Sequence, residues 1–594
     1  MADKQEAFET FEFDLQPIRG FPELRWTGKK AFTGTQYFPA QRKESYGDPV
    51  DGWNNRLYWG DNLQVMSHML RDFRGEIDLI YIDPPFDSKA DYIKKISKRG
   101  LQPSGDRSGF EESQYADLWT AEGYLQWLYE RLILCREFLK QGGSILVHCD
   151  WHRSHQIRCI LDEVFTPTAF VNEIVWHYYN KMQGNINKFA NNHDVIYRYS
   201  KGGSFQHNKV KEKRSKPTQQ IKRVWDKDKQ SIVNAKGDDG KVIYETSTHR
   251  TVDDVWRMSM LQPADKTEPT GYPTQKPEHL LARIIEACSR PGDLIFDPFM
   301  GSGTTQAVSM KMGRRFLGAD INLGSVETTV SRLNEARTHI EKNSLPKDMF
   351  VDLGIDKPEK TYRGFEVFNV NDYDIFRNPV EAKELIKEAM ELQPLPTSSV
   401  FDGQRDQYLV KIMPVNRIAT RQDLNEVING MDFKAYERRQ AEAPSKIVDR
   451  IMLVCMGHEP DIGPELVKAA KPFNIEVEVV DLIRDKANLH FKRQSDAKLV
   501  IKDGHLEIAG FYPLNLLQKL SMDTDAVEDW RQLVETIKVD WNYDGAVLSP
   551  ELIDAPEKDA LVTGRYPIPA DASTIRVKIT DLLSESWEGE IENG

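Results

Sequence analysis

The chain has 594 residues, of which 40% are hydrophobic and 29% charged, as is typical of a soluble globular protein with three or four domains. No apolar run of about 18 residues occurs, which excludes an ordinary transmembrane helix, and the N-terminal residues lack the basic and then apolar order of a secretory signal. The five cysteines show no paired spacing, which argues against disulfides and a cysteine-based zinc site, so we expect a cytoplasmic protein that binds no metal.

The net charge of −13 is unevenly distributed along the chain. Residues 201–230 contain ten Lys or Arg and three Asp or Glu, a local charge of +7, whereas residues 501–594 contain eight and nineteen, a local charge of −11. Because a basic segment can bind nucleic acid even in an acidic protein, we expect these two regions to contact different partners.

Strands and helices alternate from residue 57 onward, after an irregular N-terminal arm at residues 1–50. The spacing of apolar residues predicts a strand at 57–59, a helix at 62–73, a strand at 78–82, a helix at 121–139 and a strand at 144–148. Residues 180–262 break this pattern and are rich in Gly, Asn, Lys and Gln, so they are predicted to form an inserted, loop-rich module.

The alternation returns near residue 276. Here the pattern predicts a helix at 278–289, a strand at 294–296, a helix at 304–312, a strand at 316–319 and a long helix at 323–340. The rest of the chain is divided into a connecting region at 344–445, an α/β subdomain at 446–525 and a small, acidic, β-rich domain at 526–594. The sequence thus predicts an α/β fold with additional C-terminal domains.

A glycine-rich motif follows a predicted apolar strand and opens a helix; it begins at Asp297 and contains Gly301 and Gly303. Backbone amides at such a turn can approach a ligand closely, and the helix N-terminus favours an anionic group. A P-loop would need Lys where Thr304 stands, and a dinucleotide fingerprint would need Gly in place of Gln306. By itself, the motif is equally typical of a tight strand-to-helix turn.

Two further predicted strands end in a carboxylate. Asp320 follows the glycines by about 20 residues, where a carboxylate suits the hydroxyls of a ribose, although it would equally cap the next helix. Asp83 is followed by Pro84, Pro85 and Phe86. Because prolines leave backbone carbonyls free to accept, these residues could bind the exocyclic amino group of a planar base beside an aromatic ring. Alone, this motif would be a strand-ending turn.

Taken in order, these motifs resemble the beta class of the DNA amino-methyltransferases, in which a catalytic DPPY-type motif precedes target recognition and the cofactor motif. Four other segments match the same pattern: Trp59-Gly-Asp-Asn62, Asn172-Glu-Ile-Val-Trp-His-Tyr-Tyr179, His193-Asp-Val-Ile-Tyr197 and Tyr272-Pro-Thr-Gln-Lys-Pro277. The resemblance covers residues 57–340. It departs from the family pattern at Phe86, where Tyr is commoner; Phe can stack on a base but cannot donate a hydroxyl hydrogen bond.

The resemblance implies a Rossmann-like methyltransferase fold at residues 51–343, with a mostly parallel central sheet and S-adenosylmethionine as cofactor. The implied catalytic residues are Asp83, Pro84, Pro85 and Phe86. Thr274 and Lys276 would contact the cofactor's carboxylate, and Asp320 and Asp61 its ribose and adenine. The full set of residues implied to bind the cofactor is Asp61, Thr274, Lys276, Asp297, Phe299, Gly301, Gly303, Thr304 and Asp320.

The implied reaction is site-specific methyl transfer to the N6 amino group of adenine in double-stranded DNA. A base inside a duplex is out of reach, so the adenine must flip out and stack on an aromatic ring. Phe86 is the first candidate for that ring, and Trp176 and Tyr178 are the second. Because cytosine-N4 enzymes of the family prefer Ser before Pro-Pro, Asp83 favours adenine. Cytosine-N4 methylation and a non-catalytic DNA-sensing module are the alternatives.

The basic residues of the insert are the candidates for DNA contacts, and they interleave with Gln219, Gln220 and Trp225. Cations would neutralise phosphates, and Gln or Asn can read adenine edges in the major groove. The alternative is a solvated loop without a partner. The candidate residues are Lys209, Lys211, Lys213, Arg214, Lys222 and Arg223.

Residues 344–594 exceed what a minimal methyltransferase requires. In overall size, the chain is similar to the modification subunits of type III restriction systems and to methyltransferases of anti-phage gene clusters, which pair with a helicase or nuclease. We therefore expect a restriction-modification or defence role, with such a partner docking on the acidic tail, or a homodimer. A solubilising domain that binds no partner is the alternative.

Overall fold

The structure is a computed structural model of the chain. Among the residues described, no helix has the length and apolar character needed to cross a membrane. The residues that the structure describes are 10–12, 23–85, 91–97, 109–116, 121–181, 189–227, 229–262, 268, 272, 274–342, 355–370, 383, 386–387, 390, 392–395, 399–405, 407–414, 419–442, 446–455, 458, 461–481, 495–513, 516–517, 529–556 and 560–593.

As far as residue 342, helices separate single strands and runs of consecutive strands. The strands are β1 (Thr10–Glu12), β2 (Gly34–Gln36), β3 (Gln41–Tyr46), β4 (Asn55–Trp59), β5 (Ile77–Ile82), β6 (Asp91–Ser97), β7 (Gly109–Ala116), β8 (Leu139–Cys149), β9 (Phe170–His177), β10 (His193–Ser200), β11 (Lys211–Ile221), β12 (Arg223–Asp226), β13 (Ser231–Asn234), β14 (Tyr244–Thr251), β15 (Val255–Arg257), β16 (Leu294–Asp297) and β17 (Arg315–Asp320). The helices are α1 (Asn62–Phe73), α2 (Ala121–Phe138), α3 (Ser154–Phe165), α4 (Glu278–Cys288), α5 (Thr304–Lys311) and α6 (Leu323–Glu341).

The remaining part of the chain is richer in strands. Its strands are β18 (Phe365–Asn369), β19 (Gly403–Arg405), β20 (Tyr408–Ile412), β21 (Asp449–Cys455), β22 (Ile475–Asp481), β23 (Asp496–Lys502), β24 (His505–Tyr512), β25 (Val534–Asp540), β26 (Leu552–Asp554), β27 (Arg565–Pro567), β28 (Thr574–Asp581) and β29 (Ser586–Glu592). Its α-helices are α7 (Leu424–Asn429), α8 (Phe433–Glu442) and α9 (Ile462–Ala469).

A ten-stranded sheet lies at the centre of the fold, in the order β15-β9-β10-β8-β5-β16-β17-β4-β18-β3. Only β10 and β3 run against the other strands of this sheet. In β5, Ile80 and Ile82 pack in a core shared with α1, α2 and α3, whereas Leu79 and Tyr81 pack on the other face with α4. Apolar residues on both faces are what a parallel strand covered by two helical layers requires. The predicted α/β fold is therefore confirmed.

The central sheet extends beyond the predicted limits of residues 51–343. From the predicted arm comes β3, and from the predicted connecting region comes β18, which pairs in parallel with β4 and antiparallel with β3. Both strands are short and only alternately buried. Their pairing depends on partners distant in sequence, which local apolar spacing does not reveal.

Residues 180–262, predicted as a loop-rich insert, contain β10 and β15 of the central sheet and, between these two strands, two two-stranded ribbons. In one ribbon β11 pairs with β14, and in the other β12 pairs with β13, both antiparallel. The strands of these ribbons are mostly solvent-exposed. They therefore need no apolar face, and the alternation that would mark a half-buried strand is missing.

The C-terminal part contains a mostly parallel and an antiparallel sheet, but their strands cross the predicted domain bounds. Strand β20 lies in the predicted connecting region, and β24, from the predicted α/β subdomain, packs with the later antiparallel strands. Parallel strands β20, β21 and β22 form a sheet with α9 between the last two in sequence. Further along, β25, β26, β28 and β29 form an antiparallel sheet. The larger part of this antiparallel sheet packs in one core with β24 and β27.

A buried cluster of four charges joins the antiparallel C-terminal sheet to the central sheet. Lys538 Nζ lies 3.1 Å from Glu44 of β3 and 2.8 Å from Glu327 of α6. Lys578 Nζ lies 2.6 Å from Glu327 and also contacts Glu44. The four side chains are 3–11% exposed. Burial alone would raise the pKa of Glu327, but the two lysines lower it below its ordinary value, so this cluster is internally neutralised.

We predict that Lys538→Met destabilises the junction by about 3–5 kcal/mol, because two buried carboxylates would then share one cation. The change is measured as a lower denaturant midpoint for the transition of the C-terminal sheet. Lys241→Met is the matched control, since Lys241 lies 3.6 Å from Asp239 in an exposed pair and its loss should leave the midpoint nearly unchanged. Equal midpoints for the two variants would contradict the role of the cluster.

Candidate active site

Four neighbouring strands of the central sheet bring the predicted motifs to one edge. The order β5-β16-β17-β4 is parallel throughout, so the carboxyl ends of these strands lie side by side. Ligands bind at this edge in open parallel α/β sheets. The motifs that follow the four strands, in spatial order, are Asp83-Pro84-Pro85, the glycine turn, Asp320 and Gly60-Asp61.

One oxygen of the Asp83 carboxylate, at the end of β5, forms an ion pair. Lys276 Nζ contacts Asp83 Oδ2 in an ion pair whose side chains are 12% and 17% exposed. Asp83 Oδ1 is buried and has no hydrogen-bond partner among the described residues. A buried carboxylate oxygen without a donor is costly, so this atom is suited to accept a hydrogen bond from a ligand. Lys276, predicted to bind the cofactor, here contacts Asp83, the carboxylate that is predicted to be catalytic.

A chain of polar side chains lies behind Asp83 in the adjacent strands. Tyr81 Oη lies 2.9 Å from His148 Nδ1, and His148 Nε2 lies 3.1 Å from Asp194 Oδ2. Burial would raise the pKa of Asp194, but hydrogen bonds from His148 and Tyr178 and the positive charge of Lys276 hold this pKa below its ordinary value. The sequence analysis did not single out Tyr81 or His148. In the sequence, each is a polar residue within a predicted apolar strand, and this feature could have marked both as candidates.

The two glycines of the glycine turn, Gly301 and Gly303, cannot be replaced by larger residues without strain. Gly301 and Gly303 have φ angles of +51° and +71°, in the left-handed region that disfavours side chains. A Cβ at Gly303 would lie 2.5 Å from the Thr329 side chain, and one at Gly301 would lie 3.3 Å from the Tyr272 ring. The motif therefore needs glycine both for its backbone conformation and for close packing against α6.

Asp320 closes the glycine turn from the neighbouring strand. The Gly301 amide donates to Asp320 Oδ2 at 2.9 Å, and the Asn322 amide donates to Oδ1 at 2.9 Å. Burial raises the pKa of Asp320 to about 6. The Ser325 side chain and the Ile321 amide also donate to this carboxylate, and its predicted ribose contact stays a prediction.

Asp297 and Thr304 stabilise the turn from inside the protein. Asp297 accepts from the Thr305 hydroxyl at 2.6 Å and from the Phe299 amide at 3.0 Å. The Thr304 hydroxyl donates to the Lys276 carbonyl at 3.1 Å and accepts from Arg332 at 2.7 Å. Both side chains are buried and directed at protein groups, which argues against the predicted side-chain contacts with the cofactor.

Burial, with a smaller contribution from the nearby Asp83 and Asp320, raises the pKa of Asp297 to about 7, although the hydrogen bonds from Thr305 and Phe299 oppose this rise. Three carboxylates thus lie close together at the ends of β5, β16 and β17. Their mutual repulsion would be relieved by a cation bound among them.

Asp61, predicted to contact the cofactor's adenine, caps α1. Its Oδ1 accepts from the Leu63 amide at 2.9 Å, and its Oδ2 lies 3.2 Å from Arg131. Arg131 packs over the Trp127 ring, which meets Phe299 edge-on at 5.4 Å. Trp127 and Arg131, on the predicted helix 121–139, are site residues that the sequence analysis missed because their spacing resembled an ordinary core face. The adenine contact of Asp61 stays a prediction.

Trp176 and Tyr178 are only 2% and 5% exposed. Trp176 Nε1 donates to the Met258 carbonyl at 3.2 Å, and Tyr178 Oη donates to Asp194 at 3.2 Å. Because both rings are packed in the core beside α4, neither offers an open face, which argues against their predicted stacking on a base. Phe86 lies outside the described residues, so its stacking stays a prediction.

The basic residues predicted to contact DNA are exposed, except for Arg214. The Arg214 Nε donates to the His249 carbonyl at 3.1 Å, and its side chain is half-buried. The others make no ion pair with any described residue, and they are Lys209, Lys211, Lys213, Lys222 and Arg223. These cations are available for phosphates, and their DNA contacts stay a prediction.

Residues 77–331 match the DNA methylase family, N6_N4_Mtase. This part of the chain is a DNA methylase domain of the N6/N4 family. The assignment confirms the resemblance to the DNA amino-methyltransferases and the predicted cofactor, S-adenosylmethionine.

Curated proteins similar to the chain include two restriction-system methylases. The chain is 26% identical over 397 residues to the type II methyltransferase M.EcaI of Enterobacter cloacae, covering 57% of this chain and 82% of that one. It is 28% identical over 161 residues to the Mod subunit of the type III restriction-modification enzyme StyLTI of Salmonella typhimurium, covering 25% and 24%. A solved structure, the M1.HpyAVI–SAM complex, aligns with 47% of this chain and 98% of its own at 20% identity and a TM-score of 0.30.

We predict that Gly303→Ala destabilises the methylase domain and greatly weakens S-adenosylmethionine binding, because the new Cβ would overlap Thr329. The expected destabilisation is about 2–4 kcal/mol, the sum of overpacking and left-handed strain. Thermal unfolding and calorimetric titration measure the two effects. Gly52→Ala is the matched control, since Gly52 has the same φ of +71° but no atom within 4 Å of a Cβ. Equal losses in both variants would mean that packing against Thr329 is unimportant.

We predict that S-adenosylmethionine affinity falls below pH 6. Because the pKa of Asp320 is raised to about 6, its carboxylate protonates as the pH falls and becomes a poorer acceptor for ribose hydroxyls. Binding should weaken about tenfold between pH 8 and pH 5. In Asp320→Asn, binding should be weaker at every pH and should lose this dependence. A wild-type pH profile in the variant would assign the dependence to another group.

Proposed function

We propose that this chain is a site-specific DNA methyltransferase that transfers a methyl group from S-adenosylmethionine to the N6 amino group of adenine. The observation that carries the proposal is the pairing of β5 with β16, with the unpartnered Asp83 Oδ1 at the end of one strand and the glycine turn at the end of the other. The buried carboxylates of Asp297 and Asp320 further favour a positively charged sulfonium.

When bound, S-adenosylmethionine supplies an electrophilic methyl group on a sulfonium. Asp83 Oδ1 and the Pro84 carbonyl accept hydrogen bonds from the target amino group, which draws its lone pair out of conjugation with the ring. Bound S-adenosylmethionine would supply the methyl group and keep the electron pair of the broken C–S bond, and the nitrogen that receives the methyl group would release one proton to water. The contribution of the protein is positioning and electrostatic stabilisation.

Lys276 has a positioning role in this mechanism. By pairing with Asp83 Oδ2, it fixes the carboxylate so that Oδ1 faces away from the ion pair. The predicted contact of Lys276 with the cofactor's carboxylate is the competing role. The two roles differ in which kinetic constant depends on the lysine.

Adenine is favoured over cytosine because Asp, rather than Ser, precedes Pro84 and Pro85. The similar proteins do not separate the two bases, since the solved structures that resemble this chain include a cytosine-N4-specific methyltransferase. The unpartnered Asp83 oxygen argues against a DNA-sensing module without turnover. A buried acceptor without a donor destabilises the fold, and DNA binding at another surface would not supply that donor. The target base is expected to flip out of the duplex and stack on Phe86.

The proposed context is a restriction-modification or anti-phage defence system. Its support is the type II and type III restriction names of the similar curated proteins. In that context the C-terminal third, residues 344–594, would dock a helicase or nuclease partner or a second copy of the chain.

We predict that the wild-type protein, incubated with methyl-free DNA and S-adenosylmethionine, produces N6-methyladenine. Asp83→Ala should lower the rate at least about 100-fold, because a group that contacts the reacting amino group is removed. Its S-adenosylmethionine affinity should stay close to that of the wild type. Mass spectrometry of the nucleosides measures the product. N4-methylcytosine would establish the rival enzyme, and a wild-type protein that modifies no base would establish the sensing module.

Lys276→Met is the companion variant. If Lys276 positions Asp83, the turnover number falls while S-adenosylmethionine affinity is kept. A weaker cofactor affinity with unchanged turnover would instead assign Lys276 to the cofactor's carboxylate.

A further inference from the structure

The ribbon of β12 and β13 has two chemically different faces. Its register pairs Arg223 with Asn234 and Trp225 with Ile232. Because side chains alternate along a strand, these four residues share one face of the ribbon. All four are exposed, Trp225 by 61% and Ile232 by 66%. We call this face the reading face.

The opposite face of the ribbon is less exposed. It carries Val224, Asp226, Ser231 and Val233, and both Asp226 and Val233 are partly buried. Asp226 also lies 3.7 Å from Lys229 in the connecting turn. The large apolar side chains of Trp225 and Ile232 therefore lie on the more exposed face of the ribbon, where they do not contribute to the packing of a core.

The base of the ribbon is anchored, and its far end projects. The Ala235 amide donates to the Lys222 carbonyl at 2.8 Å, and the Lys222 and Ala235 backbones exchange two more bonds of 2.8 Å with Ile243. Ala235 is buried. A ribbon fixed at its base holds the reading face in a defined position, as a recognition element requires.

The reading face combines the side chains that distinguish base pairs. Arg donates two hydrogen bonds to guanine, Asn pairs with adenine in both directions, and apolar groups contact the thymine methyl. A two-stranded ribbon fits the width of the major groove. Lys222, at the base of the ribbon, is exposed, and so are Lys209, Lys211 and Lys213, which lie at or before the opposite end of β11. None of the four makes an ion pair with a described residue, so they complement the charge of the phosphates.

We propose that the β12–β13 ribbon enters the major groove of DNA, and that Arg223, Trp225, Ile232 and Asn234 determine the methylated sequence. The proposal rests on the proposed function and adds the element that selects the site. Arg223 is thereby reassigned from a phosphate contact to a base contact. The exposed lysines of the insert contact phosphates and carry no sequence information.

The test compares the methylated sequences made by purified variants on methyl-free genomic DNA, with single-molecule sequencing of the methylated positions. Arg223→Ala and Asn234→Ala should each relax the recognised sequence at one base pair, with about a 10- to 100-fold loss of discrimination there. Trp225→Ala and Ile232→Ala should weaken binding and relax selection at neighbouring positions. S-adenosylmethionine affinity, measured separately, should be unchanged in all four variants.

Val224→Ala, on the opposite face of the same ribbon, is the matched control and should keep the wild-type sequence. If the reading-face variants methylate the wild-type sequence with unchanged discrimination, the proposal is overturned, and the face is left for a protein partner. A uniform loss across all sequences would also overturn it, since that is the signature of phosphate contacts. A wild-type protein that methylates no DNA would instead overturn the proposed function.

Discussion

The parallel pairing of β5 with β16 is the constraint on which the whole site depends. Ile295 pairs with Leu79 and Phe296 with Ile80, although these strands are separated by the entire insert in the sequence. This register places the acceptor group of Asp83 next to the glycine turn. A slip of the register would move Asp83 along the edge of the sheet and separate the two halves of the reaction.

The site also contains buried carboxylates, and one of them is neutralised by a nearby lysine. Burial raises the pKa of both Asp297 and Asp320, and for Asp297 the neighbouring carboxylates add to this effect. Lys276 is the cation that contacts Asp83. A second cluster of buried ion pairs attaches the C-terminal sheet to α6; its members are Glu44, Glu327, Lys538 and Lys578. Because α6 follows Asp320 directly, the C-terminal region lies against the element that closes the cofactor side of the site.

Much of this arrangement could be predicted from the sequence because it is local. The apolar runs at 78–82 and 294–296 are buried strands, and the motifs lie at their ends. What could not be predicted depends on distant partners. Strand β3 pairs with β18, Asp61 contacts Arg131, and Trp176 is buried against α4. In each case the partners are far apart in sequence. The exposed ribbons were missed for a different reason, since strands without a buried face have no apolar alternation.

A crystal structure of the protein with bound S-adenosylmethionine tests the central claim most directly. The account predicts that the cofactor's methyl carbon points from the glycine turn towards Asp83 Oδ1, with space for one amino nitrogen about 3 Å from each. A sulfonium bound in another pocket, or turned so that no single nitrogen could reach both groups, would contradict the account.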